Sequence, residues 1–206
     1  IIQLERGTIN LRYLGNKDSL CKTIKEIILS KVEINENTTF FDAFCGTGTM
    51  ANAFKSECNI IINDNLHCAT TYAYGCIVSE QCNFKKLGFN PIDYFNSNNE
   101  IIKGYFYENY SPGNSSRMYF SEHNAGRIDY FRTTIEAWYV EKKINENEYR
   151  YLLACLIESV SFVANTAGVY GAFLKKWDER ALKDIKFLTV NDGINSNGKV
   201  SMYSEK

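Results

Sequence analysis

The chain has 206 residues, which suits one domain of ordinary size or one domain that carries an insertion. Hydrophobic residues make up 45% and charged residues 23%, a balance typical of globular rather than disordered chains. The formal net charge is −1, so no chain-wide basic excess indicates nucleic-acid binding, and any such surface has to be local.

The cysteines and histidines favour a reduced protein without a metal site. Seven cysteines form no CxxC pair and several stand within apolar runs, which indicates core thiols of a cytoplasmic protein. The two histidines, His67 and His123, are too far apart to suggest metal ligands. No apolar run reaches the length of a membrane span, and the N-terminal residues lack the pattern of a signal peptide.

The first part of the chain predicts two strand–helix units in a row. A helix follows Asn16, because Leu20, Ile24, Ile27 and Ile28 recur at the spacing of one helical face. Two consecutive strand–helix units favour a parallel sheet with helical crossovers. The predicted elements are a strand at 39–44, a loop at 45–49, a helix at 50–56, a strand at 59–63 and a helix at 66–79.

The remainder reads as a mostly helical insertion followed by a return to the sheet. Residues 83–121 have weak periodicity, and two helices then form a predicted αα-hairpin. The first carries Ile128, Phe131, Ile135 and Trp138 on one face, and the second, at 145–164, begins with the capping signal NENE. We predict a glycine-containing break at 165–171, a strand at 185–190 and a turn cluster at 191–199, and a division into units 1–81, 82–184 and 185–206.

The loop after the first strand has the composition of a ligand-binding turn. Asp42 ends the strand, and Gly46 and Gly48 let a ligand approach the backbone closely. Asp64 ends the second strand, at the place where an acid binds ribose hydroxyl groups. These residues suit NAD and S-adenosylmethionine equally well. Asp64 taken alone is equally well explained as the N-cap of the next helix.

Four segments resemble a known family. The run DAFCGTGTMANAF (42–54) resembles the D-x-F-x-G-x-G cofactor motif of DNA adenine methyltransferases, and RYLGNKDSL (12–20) resembles their N-terminal cofactor motif. YFSEHNAGRIDYFR (119–132) and VANTAGVYGAFLKKWDERAL (163–182) are similar to segments of the Dam-like, alpha-group N6-adenine methyltransferases of type II restriction–modification systems. The resemblance implies an α/β Rossmann-like fold that uses S-adenosylmethionine, with residues 82–184 for target recognition, and it argues against an NAD enzyme.

The resemblance also implies roles for individual residues. Tyr13 and Phe44 are alternatively core aromatics, Lys17 a solvated helix start, and residues 165–171 a plain helix end. Asn124 and Arg127 are weaker candidates for DNA contact. The implied cofactor residues are Tyr13, Gly15, Lys17, Asp42, Phe44, Gly46, Gly48 and Asp64, and the implied DNA contacts are Asn165, Thr166, Tyr170, Lys175 and Lys176.

The catalytic motif of that family, [D/N]-P-P-[Y/F], does not occur in the sequence. The two prolines, Pro91 and Pro112, are not adjacent, and NPIDY (90–94) precedes the place that the family's order requires. We therefore expect a truncated chain that is inactive by itself. A split enzyme with the motif on a second chain, and an inactive binding remnant, are the alternatives. The implied partners are double-stranded DNA and, in function, a cognate restriction endonuclease.

Overall fold

The computed structural model describes residues 18–168 and 170–205. Among these residues a small parallel sheet lies beside a larger helical unit. Short 3₁₀ turns occur at Ser79–Gln81 and Glu179–Leu182. The strands are β1 (Thr39–Asp42), β2 (Asn59–Asn63) and β3 (Val200–Tyr203), and the helices are α1 (Asp18–Leu29), α2 (Thr49–Phe54), α3 (His67–Val78), α4 (Pro91–Asn96), α5 (Tyr105–Tyr110), α6 (Glu122–Val140) and α7 (Glu146–Val163).

The sheet confirms the predicted pair of parallel strands and adds a third. Its order is β1-β2-β3, with Phe40 opposite Ile60 and Ile60 opposite Val200. Because side chains alternate along a strand, Phe40, Ile60 and Ile62 point to one face, where they pack with Phe54 of α2 and apolar residues of α1 and α3. Helices α1, α2 and α3 therefore all help to bury this face of the sheet.

The predicted αα-hairpin is confirmed and forms the centre of the helical unit. Helices α6 and α7 pack against each other and are joined by the short connection 141–145. The NENE signal forms a capping box, since the Asn145 side chain accepts the Glu148 N–H while the Glu148 carboxylate accepts the Asn145 N–H. Aromatic side chains fill the core around Phe95, which contacts Phe131 and Phe187.

Helices α3 and α7 run antiparallel, and this places the end of α7 beside the sheet's carboxyl edge. The Tyr72 hydroxyl donates to Glu158 at 2.7 Å, whereas Tyr74, farther along α3, donates to Asn147 at the start of α7. Gly75 permits the close approach, because a Cβ there would lie 2.5 Å from the Cβ of Ala154. Burial, with smaller contributions from Cys76 and Glu158, raises the Tyr72 pKa well above its ordinary value, so the hydroxyl remains a donor.

The structure corrects the strand predicted at 185–190. These residues form no strand, and three of their N–H groups pair with side chains: Asn124 accepts the Ile185 N–H, Asn96 accepts that of Phe187, and Ser159 accepts that of Leu188. Buried apolar side chains of this segment join the helical core, and the chain enters the sheet at Val200. Strand β3 was not predicted because its alternation of apolar and polar residues covers only four positions.

The predicted irregular region 83–121 contains two short helices. The NPIDY sequence begins the first of them, because the Asn90 side chain accepts the Ile92 N–H as N-cap and Pro91 takes the first helical position. Among the helices that the structure describes, none is long and apolar enough to cross a membrane. Within the same residues, no cluster of three His, Cys, Asp or Glu side chains forms a candidate metal site.

Candidate cofactor site and recognition loop

The loop after β1 folds back on the end of β2. The Cys45 N–H donates to the Asn63 carbonyl at 2.9 Å, and the Gly48 N–H donates to the Cys45 carbonyl at 2.7 Å. Gly46 and Gly48 have φ values of +51° and +78°, in the left-handed region that residues with a side chain rarely adopt. Glycine is therefore favoured at both positions of the sequence motif because the chain makes a tight turn into α2 there.

Gly48 also has a packing reason. A Cβ at this position would lie 2.6 Å from the Cβ of Ala73 and 3.1 Å from its Cα. Ala73 is fully buried in α3, so the loop backbone rests directly on that helix. The sequence pattern predicted a ligand contact for Gly48, and the structure adds this contact with α3.

Asp64 joins the loop to the start of α3. One carboxylate oxygen accepts the Gly46 N–H at 3.0 Å and the other accepts the Leu66 N–H at 2.9 Å. A carboxylate has about four lone-pair directions, so these bonds leave acceptor capacity on the half-buried side chain. Asp64 thus orders the turn before α3 but is not its N-cap, which is Leu66, so the capping alternative is wrong.

The other predicted cofactor residues on this loop are Asp42 and Phe44. Asp42 is half-buried at the carboxyl end of β1, on the same edge of the sheet as Asp64. Phe44 is 81% exposed, which excludes its alternative interpretation as a core aromatic. Leu66, two residues after Asp64, is also exposed. Exposed apolar side chains close in sequence to two carboxylates suit a ligand with both polar and apolar groups.

The end of β3 adds residues that the sequence analysis missed. The Ser204 hydroxyl donates to the Asp64 carbonyl at 3.1 Å. Asn63 accepts the Glu205 N–H at 3.1 Å and donates to the Ala43 carbonyl at the same distance. Residues 204–205 therefore lie beside the loop. The alternation of Val200, Ser201 and Met202 was the available signal.

Three predicted cofactor residues, Tyr13, Gly15 and Lys17, lie outside the described residues, and their roles stay predictions. The seven cysteines are all free thiols, and four of them are buried, as the sequence predicted for core residues. Cys45 is the one that belongs to the loop, and its side chain is buried beneath it.

Asn165, predicted to contact DNA, is instead a buried clamp. Its side chain is fully buried, donates to the carbonyls of Met118 and Leu174 at 3.0 Å each, and accepts the Asp178 N–H at 3.0 Å. These bonds occupy both amide protons and an oxygen lone pair, so the amide has no exposed edge for a base. The prediction of direct DNA contact is wrong for this side chain, because its amide is buried and holds together the backbone at Met118, Leu174 and Asp178.

The clamp closes a loop that projects from the end of α7. Thr166 and Phe173 form an isolated antiparallel bridge, so the chain leaves and returns at one place. Thr166 is buried, which does not suit a DNA contact by its side chain. Tyr170 is 53% exposed near the tip, and Lys175 and Lys176 are exposed after the bridge. We call residues 166–168 and 170–176 the recognition loop, after the role that the sequence analysis predicted for this segment.

The weaker candidates Asn124 and Arg127 are also structural. Asn124 is buried and donates to the carbonyls of Ala181 and Lys183. The buried Arg127 guanidinium donates to the carbonyls of Phe95 and Glu100, and burial is the main cause that lowers its pKa. Both side chains are used within the fold, which corrects their assignment to DNA.

A small parallel sheet with many helices is compatible with an α/β fold, and its carboxyl edge carries a glycine turn and two carboxylates. The comparisons identify the class of protein. The chain matches the family model of D12 class N6 adenine-specific DNA methyltransferases over residues 13–206, and it belongs to that family. No solved structure matches the chain.

Three curated relatives are modification enzymes. Type II methyltransferase M.FokI of Planomicrobium okeanokoites is 40% identical over 193 residues, covering 90% of this chain and 30% of the relative. Modification methylase LlaI of Lactococcus lactis subsp. lactis is 41% identical, covering 84% and 28%. Modification methylase StsI of Streptococcus sanguinis is 37% identical, covering 91% and 30%. The chain therefore spans less than a third of the length of each.

Proposed function

We propose that this chain is the cofactor-binding and DNA-contacting part of a methyltransferase that modifies adenine N6 in a specific DNA sequence. The proposal includes S-adenosylmethionine as methyl donor, a Rossmann-like sheet as its platform and a role beside a cognate restriction endonuclease. The family match over residues 13–206 supports the reaction class, and the names of the three relatives support a modification role.

The observation that carries the proposal is the arrangement of Asp42, Gly46, Gly48 and Asp64 at one edge of the sheet. The remaining lone pairs of Asp64 suit two ribose hydroxyl groups, and Asp42 suits the ammonium group of the methionine part. Gly46 and Gly48 keep the loop narrow beside them. S-adenosylmethionine would supply an activated methyl group on sulfonium, and these residues would bind and orient it.

The recognition loop supports the DNA part of the proposal. Because α3 and α7 are antiparallel, the loop after α7 lies at the end of the molecule that carries the cofactor edge. An adenine must leave the duplex to meet a methyl donor, so DNA contacts and cofactor need to share one end. Tyr170, Lys175 and Lys176 remain proposed DNA contacts on this loop, and Asn165 and Thr166 are proposed to hold it.

The 206 residues contain no paired prolines for the family's base-holding motif. We propose that these residues bind the cofactor and contact DNA without transferring the methyl group by themselves. Alignment of the adenine would then need that motif from elsewhere in a longer chain or from a second chain. If a second chain supplies the motif, addition of that chain should restore methyl transfer.

Calorimetric titration with S-adenosylhomocysteine and with NAD tests the cofactor assignment. We expect saturable binding of S-adenosylhomocysteine and none of NAD. Binding of NAD alone would refute the methyltransferase proposal. S-adenosylhomocysteine is the suitable probe because it has the same ribose and the same amino-acid ammonium and carboxylate groups as the donor but no transferable methyl group.

Matched aspartate variants locate the binding site. Asp42→Ala and Asp64→Ala should each lower the affinity for S-adenosylhomocysteine at least about tenfold, as expected when a charge-assisted hydrogen bond is lost. Asp93→Ala removes an exposed carboxylate on α4 and should leave the affinity unchanged. Unchanged affinity in Asp42→Ala would remove that residue from the site. Urea unfolding of each variant separates loss of binding from loss of folding.

A further inference from the structure

A continuous row of aromatic rings connects α5 to the recognition loop. The ring centroids of Tyr105 and Tyr110 are 5.8 Å apart, those of Tyr110 and Tyr119 are 5.5 Å apart, and those of Tyr119 and Phe173 are 5.2 Å apart. We call these four residues the aromatic row. The Tyr119 hydroxyl also donates to the Tyr170 carbonyl at 3.2 Å, which ties the row to the loop tip.

The aromatic row is exposed at Tyr105, half-buried at its other three residues, and accompanied by basic residues. Tyr105 is 65% exposed, a large value for an aromatic side chain in a folded unit. The Arg117 guanidinium lies 5.9 Å from the centroid of the Tyr110 ring. Residues 103–119 and 170–176 together contain the cations Lys103, Arg117, Lys175 and Lys176 and a single acid, Glu108. The local charge is therefore positive in a chain whose net charge is −1.

Buried contacts hold the row in place. The Asp129 carboxylate of α6 accepts the N–H groups of Gly104 at 3.2 Å, Phe106 at 3.0 Å and Tyr107 at 2.8 Å. Gly104 is required for this contact, since a Cβ there would lie 2.9 Å from the Asp129 Cγ. The start of α5 is thus fixed to α6, and its tyrosines are positioned before any ligand binds, which lowers the entropic cost of binding.

The row lies at the same end of the molecule as the cofactor edge. Helix α6 begins just after Tyr119, and the Asn165 N–H donates to the Tyr119 carbonyl at 2.8 Å, so the start of α6 meets the end of α7. The end of α7 faces the start of α3, which follows Asp64 at the sheet edge. One end of the protein therefore carries the cofactor edge, the recognition loop and the aromatic row.

We propose that the aromatic row and its cations bind the sugar–phosphate backbone of duplex DNA next to the recognition loop. This inference rests on the proposed function and names residues that the sequence analysis did not assign. Tyrosine hydroxyls, arginine and lysine all donate hydrogen bonds to phosphate oxygens, whereas the faces of paired bases are covered by stacking. Tyr105, Tyr110 and Arg117 would therefore contact phosphates and fix the position of the duplex.

Fluorescence anisotropy with a short duplex DNA of mixed sequence tests the proposal, because phosphate contacts do not depend on sequence. Arg117→Ala should weaken binding about three- to tenfold and lower the slope of log affinity against log salt concentration by about 0.9. Tyr105→Phe removes one hydroxyl and should weaken binding about two- to fivefold at low salt. Tyr94→Phe and Lys143→Ala alter a tyrosine hydroxyl and a cation outside the row and should bind like the unaltered protein.

Three results would overturn the inference. One is an unchanged affinity and salt slope in Arg117→Ala and Tyr105→Phe, and another is a failure of the unaltered protein to bind the duplex at low salt. The third is tighter binding of an oligothymidine strand than of the duplex, with loss of binding in Tyr105→Leu but not Tyr105→Phe, which would indicate base stacking. Parallel titration with S-adenosylhomocysteine separates this inference from the proposed function. If cofactor binding is intact and any of these three results is found, only the role of the aromatic row is rejected.

Discussion

Replacement of Gly48 by alanine tests the packing of the cofactor loop on α3. Gly48 has a φ of +78°, and alanine in this left-handed region costs about 1–2 kcal/mol. Its Cβ would also lie 2.6 Å from the Cβ of Ala73, far below the roughly 3.5–4.0 Å of a comfortable carbon contact. Overpacking of this kind costs about 1–3 kcal/mol, so we expect a total loss of about 2–5 kcal/mol in the free energy of unfolding.

Gly88→Ala is the matched control for the backbone term. Gly88 has a φ of +81°, and a Cβ there would meet nothing within 4 Å. Its variant should therefore lose about 1–2 kcal/mol, which is the conformational cost alone. The difference between the two variants in urea unfolding measures the clash with Ala73. S-adenosylhomocysteine titration should show weakened binding in Gly48→Ala and unchanged binding in Gly88→Ala.

The double variant Gly48→Ala/Ala73→Gly completes the test. Removal of the Ala73 methyl group should recover part of the clash energy, although the Ala73 Cα at 3.1 Å and a glycine in mid-helix, at about 1 kcal/mol, limit the recovery. Equal loss of stability in Gly48→Ala and Gly88→Ala would contradict a clash with Ala73, and so would a double variant no more stable than the sum of its single changes predicts.

Three further predictions concern polar side chains of the two structural units and the loop that follows α7. Asn165→Ala should lower the free energy of unfolding in urea by at least about 2 kcal/mol because it leaves buried backbone groups unpaired. Tyr170→Ala should instead weaken DNA binding without a change in stability. The reverse pattern would contradict the role of Asn165 as a clamp. Burial opposes ionisation of Asp192, but hydrogen bonds, led by that of buried Lys55, lower its pKa below 3.8. The stabilisation by this carboxylate is therefore present above about pH 4 and is lost as the pH falls through the lowered pKa. Asp192→Asn should flatten that part of the profile of stability against pH. Asn145→Ala removes a helix cap and should cost about 1 kcal/mol, with no effect on S-adenosylhomocysteine binding.

Local patterns determined much of this protein before any tertiary contact was known. The β-branched run of β2, the NENE capping box and the spacing of Ile128, Phe131, Ile135 and Trp138 each lie within one element, and all appear as predicted. The loop glycines belong to the same class, since a positive φ is a property of one residue and its neighbours. The resemblance of 42–54 and 163–182 pointed to the family that the family model then identified.

The tertiary structure decided which polar side chains face a ligand. Asn165 and Arg127 have the chemistry of DNA contacts, but their partners lie up to 47 residues away in sequence, so their burial could not be read from local pattern. Residues 185–190 form no strand for a similar reason, because side chains distant in sequence accept three of their N–H groups. Burial and long-range pairing depend on how elements pack, and the antiparallel contact of α3 with α7 alone brings the cofactor edge and the recognition loop to one end.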